Sequence, residues 1–331
     1  MAPKTASLSN RSTFQILLVL SRALAALRPT LIALLIAGGA KLTGGAEHPI
    51  SFCNVLFVGN LCAALTVGVW VGFGSLLSDI KATKASVLIG LLVNGCLAAL
   101  LSALIFLGLQ ETTVTNAVLL GRLGPVLFAI AGSILLNRSI QRLEWFGFSL
   151  IAAGVMAIAL AANNFRINQG DLLILLSTLV YAASSLINHL VISKQSSLRL
   201  IVFSRNFVSA AIFFAIALIL FGPMHFADAF SGSLWILMAI YALVVIVCAQ
   251  FLWFAAFDQL DAKTIGRLTV ISPIFGVTYA FLLNGERPSS TQVATLVVVI
   301  AGVVIASFGK QTSKLKKSEE SSKDSEDVAS A

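Results

Sequence analysis

Arg122 stands in the run LLGRLGPVLF (119–128), a permanent cation inside apolar sequence and three positions before Pro125. At bilayer depth an uncompensated arginine costs between about 2.5 and 17 kcal/mol, so such a side chain faces a bundle interior or an aqueous cavity and pairs with something. Gly121 and Gly124 let other backbones come close, and Pro125 removes a donor and frees a carbonyl one turn back. A cation beside a kinked helix end suits an anion. The same residue also fits a structural ion pair, with Glu111 the nearest acid in sequence, or a cap on loose carbonyls.

Ser177, Tyr181, Ser184 and Asn188 fall at i, i+4, i+7 and i+11, a single helical stripe flanked by Ser185 and His189. In lipid that stripe turns inward, either to join helices or to line a polar cavity. Arg205 and Arg267 lie five or six residues inside their helix ends, within snorkelling reach, and are further candidates for substrate contact. Trp253 and Tyr279 could stack on an aromatic or apolar part of a substrate, although packing is the commoner use of such residues. Pro125 and Pro273 are the candidate helix breaks or gating points. Every Asp and Glu of the hydrophobic body falls in a loop or at a helix end, which disfavours carboxylate-based proton coupling. Facilitated diffusion or exchange fits better, with His189 the imidazole positioned for a relay.

The elements that position these residues are set by composition. Of 331 residues, 58% are hydrophobic and 11% charged, with a mean hydropathy of +0.96. An average soluble domain carries about 25% charged residues. The chain therefore falls in the all-α integral membrane class. The net charge of +8 does not point to nucleic acid, because no basic block interleaves with aromatics on a polar face. The four cysteines sit in apolar stretches with no CxxC, so neither a metal nor a cofactor is expected. Catalytic signatures such as HExxH and GxSxG are absent, as is a phosphate-binding GxxxxGK[ST] loop, so the chain is not read as an enzyme or an ATP-driven pump.

About 20 apolar residues cross a bilayer. Ten spans meet that measure, near 24–42, 50–73, 86–108, 114–136, 144–162, 170–191, 199–221, 233–256, 262–283 and 291–308. With the N-terminus in the cytoplasm, sixteen lysines and arginines lie on the cytoplasmic side against Lys41, Arg166 and Arg287 on the far side, which places both termini inside. Arg22 and Arg28 are counted on the cytoplasmic flank. The expected order is a cytoplasmic segment at 1–23, five spans at 24–162, five more at 163–309 and a disordered, charged cytoplasmic tail at 310–331. The sequons at Asn10 and Asn137 then lie out of reach of glycosylation.

Two windows 148 positions apart share a pattern. FLGLQETTVTNAVLLGRLGP (106–125) aligns Phe106 and Pro125 with Phe254 and Pro273 of FAAFDQLDAKTIGRLTVISP (254–273). IAAGVMAIA (151–159) aligns Gly154 with Gly302 of VIAGVVIAS (299–307), and FVGNLCAA (57–64) echoes FSRNFVSA (203–210). Five spans per half is an odd number, so the second half is inverted, an architecture that puts the substrate site of secondary transporters at the repeat interface.

These windows, the helix opening GDLLILLSTLVYAASSLI (170–187) and FLLNGE (281–286) followed by AGV resemble the drug/metabolite transporter superfamily in its EamA-like branch, over roughly 30–309. The family usually has a glutamate after the proline helix in both halves; Glu286 fits, whereas Arg138 stands at the equivalent place of the first half. The resemblance implies a secondary carrier that moves a small metabolite through a central cavity by alternating access. An arginine-bearing cavity makes that metabolite an anion or a zwitterion, such as an amino acid or other carboxylate. The expected partners are that small molecule and the lipid bilayer, as monomer or homodimer, in a bacterial inner membrane or alternatively an organellar envelope. A non-transporting membrane interaction protein is the second class, and an intramembrane enzyme the third.

Overall fold

The computed structural model describes residues 8–42, 52–135, 139–161, 168–192, 195–226, 232–257, 259–260 and 262–308. The tail from Lys310, the sequon at Asn137 and Arg138 lie outside these residues, as do the side chains of Asn10 and Arg267. Every regular element among the described residues is helical. In order they are α1 (Leu8–Leu42), α2 (Phe52–Val71), α3 (Phe73–Ala82), α4 (Ala85–Glu111), α5 (Val114–Leu120), α6 (Leu123–Leu135) and α7 (Arg142–Ala161). There follow α8 (Gln169–Ile187), α9 (Leu198–Phe221), α10 (Gly232–Tyr241), α11 (Ala249–Phe257), α12 (Ala262–Thr269), α13 (Ser272–Asn284) and α14 (Ser290–Phe308). A π-helical turn, Asn188–Ile192, extends α8, and a longer one, Ala242–Cys248, joins α10 to α11.

Water cannot satisfy backbone groups in hydrocarbon, so apolar runs of about 20 residues bond internally as helices. Their outer faces are oily: Ile219 is 79% exposed and Ile134 72%, which suits acyl chains rather than water. Inside, Phe106, Phe213, Ile158, Ile174 and Leu234 share one large apolar cluster.

Among the described residues, nine helices are long and apolar enough to cross a membrane, against the ten spans read from sequence. The difference is the stretch 262–283. A turn at Val270–Ile271 divides it into α12 and α13, with Pro273 in the first turn of α13. The same interruption recurs in the first half, where Gly121 and Arg122 separate α5 from α6 and Pro125 lies in the first turn of α6. A proline at a helix start loses nothing, since its missing donor is already surplus there. The first span also differs: α1 begins at Leu8, and the crossing runs Ser12–Gly38, so Arg22 and Arg28 lie within it rather than on its flank.

Helix bounds recur at the sequence offset of 148. α5 and α12 start at residues 114 and 262, and α7 and α14 at 142 and 290. Packing follows the same exchange of halves. α2 packs on α9; α4 packs on α8 as α11 does on α1; and α6 packs on α8 as α13 does on α1. The last helices of the two halves cross backbone to backbone, because a Cβ on Gly147 would lie 2.5 Å from the carbonyl oxygen of Gly302.

Candidate functional site

Breaking α5 from α6 leaves carbonyls without intrahelical partners at the end of α5, and Arg122 occupies that break. Its Nε donates to the Val118 carbonyl oxygen at 3.4 Å, and its backbone N–H reaches Leu119 O at 3.1 Å. The guanidinium is half-buried, and no carboxylate among the described residues pairs with it; Glu111 sits exposed at the end of α4. Beside it the ring of Tyr181 packs on Gly124, where a Cβ would come within 2.8 Å of the ring. Gly124 is what lets α6 and α8 approach here.

Tyr181 is a hub. Its phenol lies within electrostatic range of Arg22, Arg122 and Arg205, contributed by α1, the α5–α6 break and α9. Arg22 is close enough to Arg122 to feel its charge, and Arg28 stands in the same relation to Arg205. All four arginines are half-buried. Arg22 lies over the Trp253 ring, 4.0 Å from its centroid, and its Nη2 donates to Ser21 Oγ at 3.1 Å. Ser21 in turn donates to Ala249 O at 2.7 Å, tying α1 to α11. Arg28 donates from Nη2 to Ser102 Oγ at 3.1 Å, and the buried Tyr241 lies near it. The Nε atoms of both Arg22 and Arg28 are buried without a hydrogen-bond partner.

The sequence reading missed Arg22 and Arg28. The signal was present in FQILLVLSRALAALRPTLIALL, one continuous apolar helix in which both arginines fall well inside the ends.

The other candidates scatter. Ser184 is 3% exposed and donates to Asn94 Oδ1 at 2.6 Å, so it joins α8 to α4. Ser177 bonds its own helix at Ile174 O. Asn188 begins the π turn with its Oδ1 buried and unpartnered, and His189 is exposed with its ring edge-on to Phe128 at 6.2 Å. Tyr279 stacks on Phe275 at 6.3 Å on α13. Phe275 also borders a hollow of about 490 Å³ along α1, lined by Ser12, Gln15, Ile16, Val19, Leu20 and Ala23 and apolar in character. Of the nine residues singled out for binding, Arg122, Tyr181, Arg205 and Trp253 belong to the arginine cluster.

Polar clamps sit at both ends of the bundle. Gly285, at φ +70°, caps α13 in the left-handed conformation that glycine adopts without strain. The turn delivers Glu286 to the start of α5, where Oε1 accepts from Val114 N–H at 2.7 Å. Its Oε2 accepts from Thr115 N–H at 2.9 Å and Thr115 Oγ1 at 2.8 Å. Gln292 reaches Asn116 Oδ1 at 2.7 Å, and Asp171 accepts from Thr112 Oγ1. At the other end Arg199 holds Asp79 through Nε at 2.6 Å and Nη2 at 2.8 Å, with Ser197 Oγ donating to the same carboxylate. These hydrogen bonds, the Arg199 pair first, hold the Asp79 carboxyl down at about 2 against the opposing effect of burial.

Comparison with known proteins bears on the family and the fold. A profile described as the EamA-like transporter family matches residues 89–160 and 168–308. An uncharacterised transporter of Synechocystis is 30% identical over 78% of this chain and 77% of its own length. A riboflavin transporter of Fusobacterium nucleatum is 24% identical over 64% of this chain and 73% of its own. A crystal structure shares the fold at a TM-score of 0.56 and 16% identity, covering 91% of this chain and 97% of the other.

Proposed function

The chain belongs to the EamA-like transporter family, and from that premise we propose that it is a secondary carrier moving a small organic anion by alternating access. The recurrence of helix bounds and packing pairs at an offset of 148 supports two inverted five-helix repeats, with α5–α6 and α12–α13 as the broken fourth helix of each. On that reading there are ten crossings, and both termini are cytoplasmic. Moving Arg22 and Arg28 into the membrane lowers the cytoplasmic count of Lys and Arg but leaves the bias strong. The bacterial relatives support a bacterial inner membrane.

The cluster of Arg22, Arg28, Arg122 and Arg205 around Tyr181 carries the proposal. Four half-buried cations with no carboxylate beside them in the described residues await negative charge from elsewhere. The riboflavin named for the Fusobacterium relative is a neutral solute and would leave those charges uncompensated, so an anion is preferred here. Arg122 contacts it from the helix break, Tyr181 and Trp253 bound it, and rocking of the halves exposes it to each side in turn.

The test is uptake of labelled anions by the purified protein in liposomes, compared with Arg122→Gln. Loss of about 1.5–3 kcal/mol of charge-assisted hydrogen bonding slows anion uptake at limiting concentration roughly 10- to 100-fold. Unchanged uptake of every anion moved by the parent protein would remove Arg122 from the mechanism.

A further inference from the structure

The arginine cluster has two poles. Arg22, over Trp253 on α11, forms one with Arg122 of the α5–α6 break, which packs on α1; Arg28, bonded to Ser102 of α4, forms the other with Arg205 of α9, which packs on α4. Arg22 and Arg28 are six residues apart on α1, roughly 9 Å of helical rise. The side chains that bond them, Ser21 and Ser102, are hydroxyls. A hydroxyl can accept a hydrogen bond, but it does not neutralise a guanidinium. Each pole keeps a buried Nε with no partner.

Resting on the carrier reading above, we infer that the substrate is a small dianion with its two charges at opposite ends, one held at the Arg22–Arg122 pole and the other at the Arg28–Arg205 pole. A monocarboxylate satisfies one pole and leaves the other bare. An amino acid is worse served, because its ammonium group would face guanidinium groups where no described carboxylate stands to receive it. A linear dicarboxylate carries one charge for each pole.

The experiment uses full-length protein in liposomes and measures uptake of labelled succinate and glutarate beside butyrate, glycerol phosphate, alanine and riboflavin. The expected result is uptake of the dicarboxylates at least about tenfold faster than butyrate or alanine, as one extra charge-assisted contact implies. In Arg28→Gln the dicarboxylate-to-butyrate ratio falls toward one, and in Arg28→Lys, which keeps the charge, it recovers. Size-exclusion profiles matching the parent protein establish that both variants fold. Butyrate, alanine or riboflavin moving as fast as the dicarboxylates overturns the inference and leaves the carrier reading standing. Glycerol phosphate moving faster than the dicarboxylates puts both charges at one pole and overturns it too. An Arg28→Gln variant that slows every solute alike assigns Arg28 to structure and overturns it. No movement of any solute overturns the carrier reading along with it.

Discussion

At the scale of single residues, the cluster and the terminal clamps obey opposite electrostatic rules. Arg122 has carbonyl and phenol neighbours but no counter-ion among the described residues, so its charge adds nothing to folding that a neutral side chain would forfeit. Arg122→Gln should therefore melt no lower than the parent protein in detergent while losing anion uptake; a large drop in Tm would reassign it to structure. Asp79 is the reverse case. Its carboxyl is held at about 2, below the ordinary 3.8, so the ionised form is the one the fold prefers. That contribution is complete above pH 3.8 and fades as pH falls through 2. Asp79→Asn should lower Tm at pH 7, and the gap between variant and parent should close between about pH 4 and pH 2 in a thermal-melt series. A gap independent of pH would mean that the substituted amide fails through shape rather than charge. Arg122 was legible in sequence because a lone charge in apolar surroundings is costly wherever the chain goes. Arg22 and Arg28 were not, because near a chain end the same letters read equally well as a cytoplasmic flank. Only the continuity of α1 from Leu8 decides between the two. Ser184 shows the opposite failure: periodicity put it on an inward face, but nothing local says that Asn94 waits there.

At the scale of helices, small residues and broken ends do the positioning. The break before Pro125 and Pro273 was readable, since proline cannot donate and disfavours helix before it. Where the turn falls was not, because Val270 and Ile271 carry no mark of their own. Glu286 was visible as a matching family position, yet its work is to hold the start of α5, on the far half of the chain. The α7–α14 crossing rests on two glycines with no room for a methyl group: a Cβ on Gly147 meets Gly302 O at 2.5 Å, and one on Gly302 meets Gly147 O at 2.8 Å. Backbone cannot step aside as a flexible side chain can, so Gly147→Ala should separate the helices and lower Tm by several degrees, with a loss of about 1–3 kcal/mol. Gly132 is the control, because the nearest atom to its Cβ is Leu186 Cδ2 at 3.6 Å. Gly132→Ala gains helix propensity, about 1 kcal/mol, and should melt at or above the parent temperature. Equal destabilisation in both variants would deny the crossing its special closeness.

At the scale of the whole molecule, the charge of the cluster bears on how the carrier cycles. On the alternating-access reading proposed above, rocking of the two halves passes through a closed state in which water is squeezed out from around the cluster. With an anion aboard, the guanidinium groups keep a counter-charge when that water leaves. Empty, the half-buried Arg22, Arg28, Arg122 and Arg205 would be dehydrated with no counter-charge among the described residues. Dehydrating unpaired cations is costly by several kcal/mol per ion, and each 1.4 kcal/mol on a barrier slows a step about tenfold. The empty return leg should therefore be the slow one, and the protein should exchange anions far faster than it carries them one way. Vesicles preloaded with the unlabelled anion should take up the labelled form at least about tenfold faster than vesicles loaded with buffer alone. Arg28→Gln combined with Arg122→Gln should narrow that difference by speeding the empty return. Equal rates with and without internal anion would show that the protein returns readily when empty, and the cluster would then need a second, inorganic anion that stays with it in both directions.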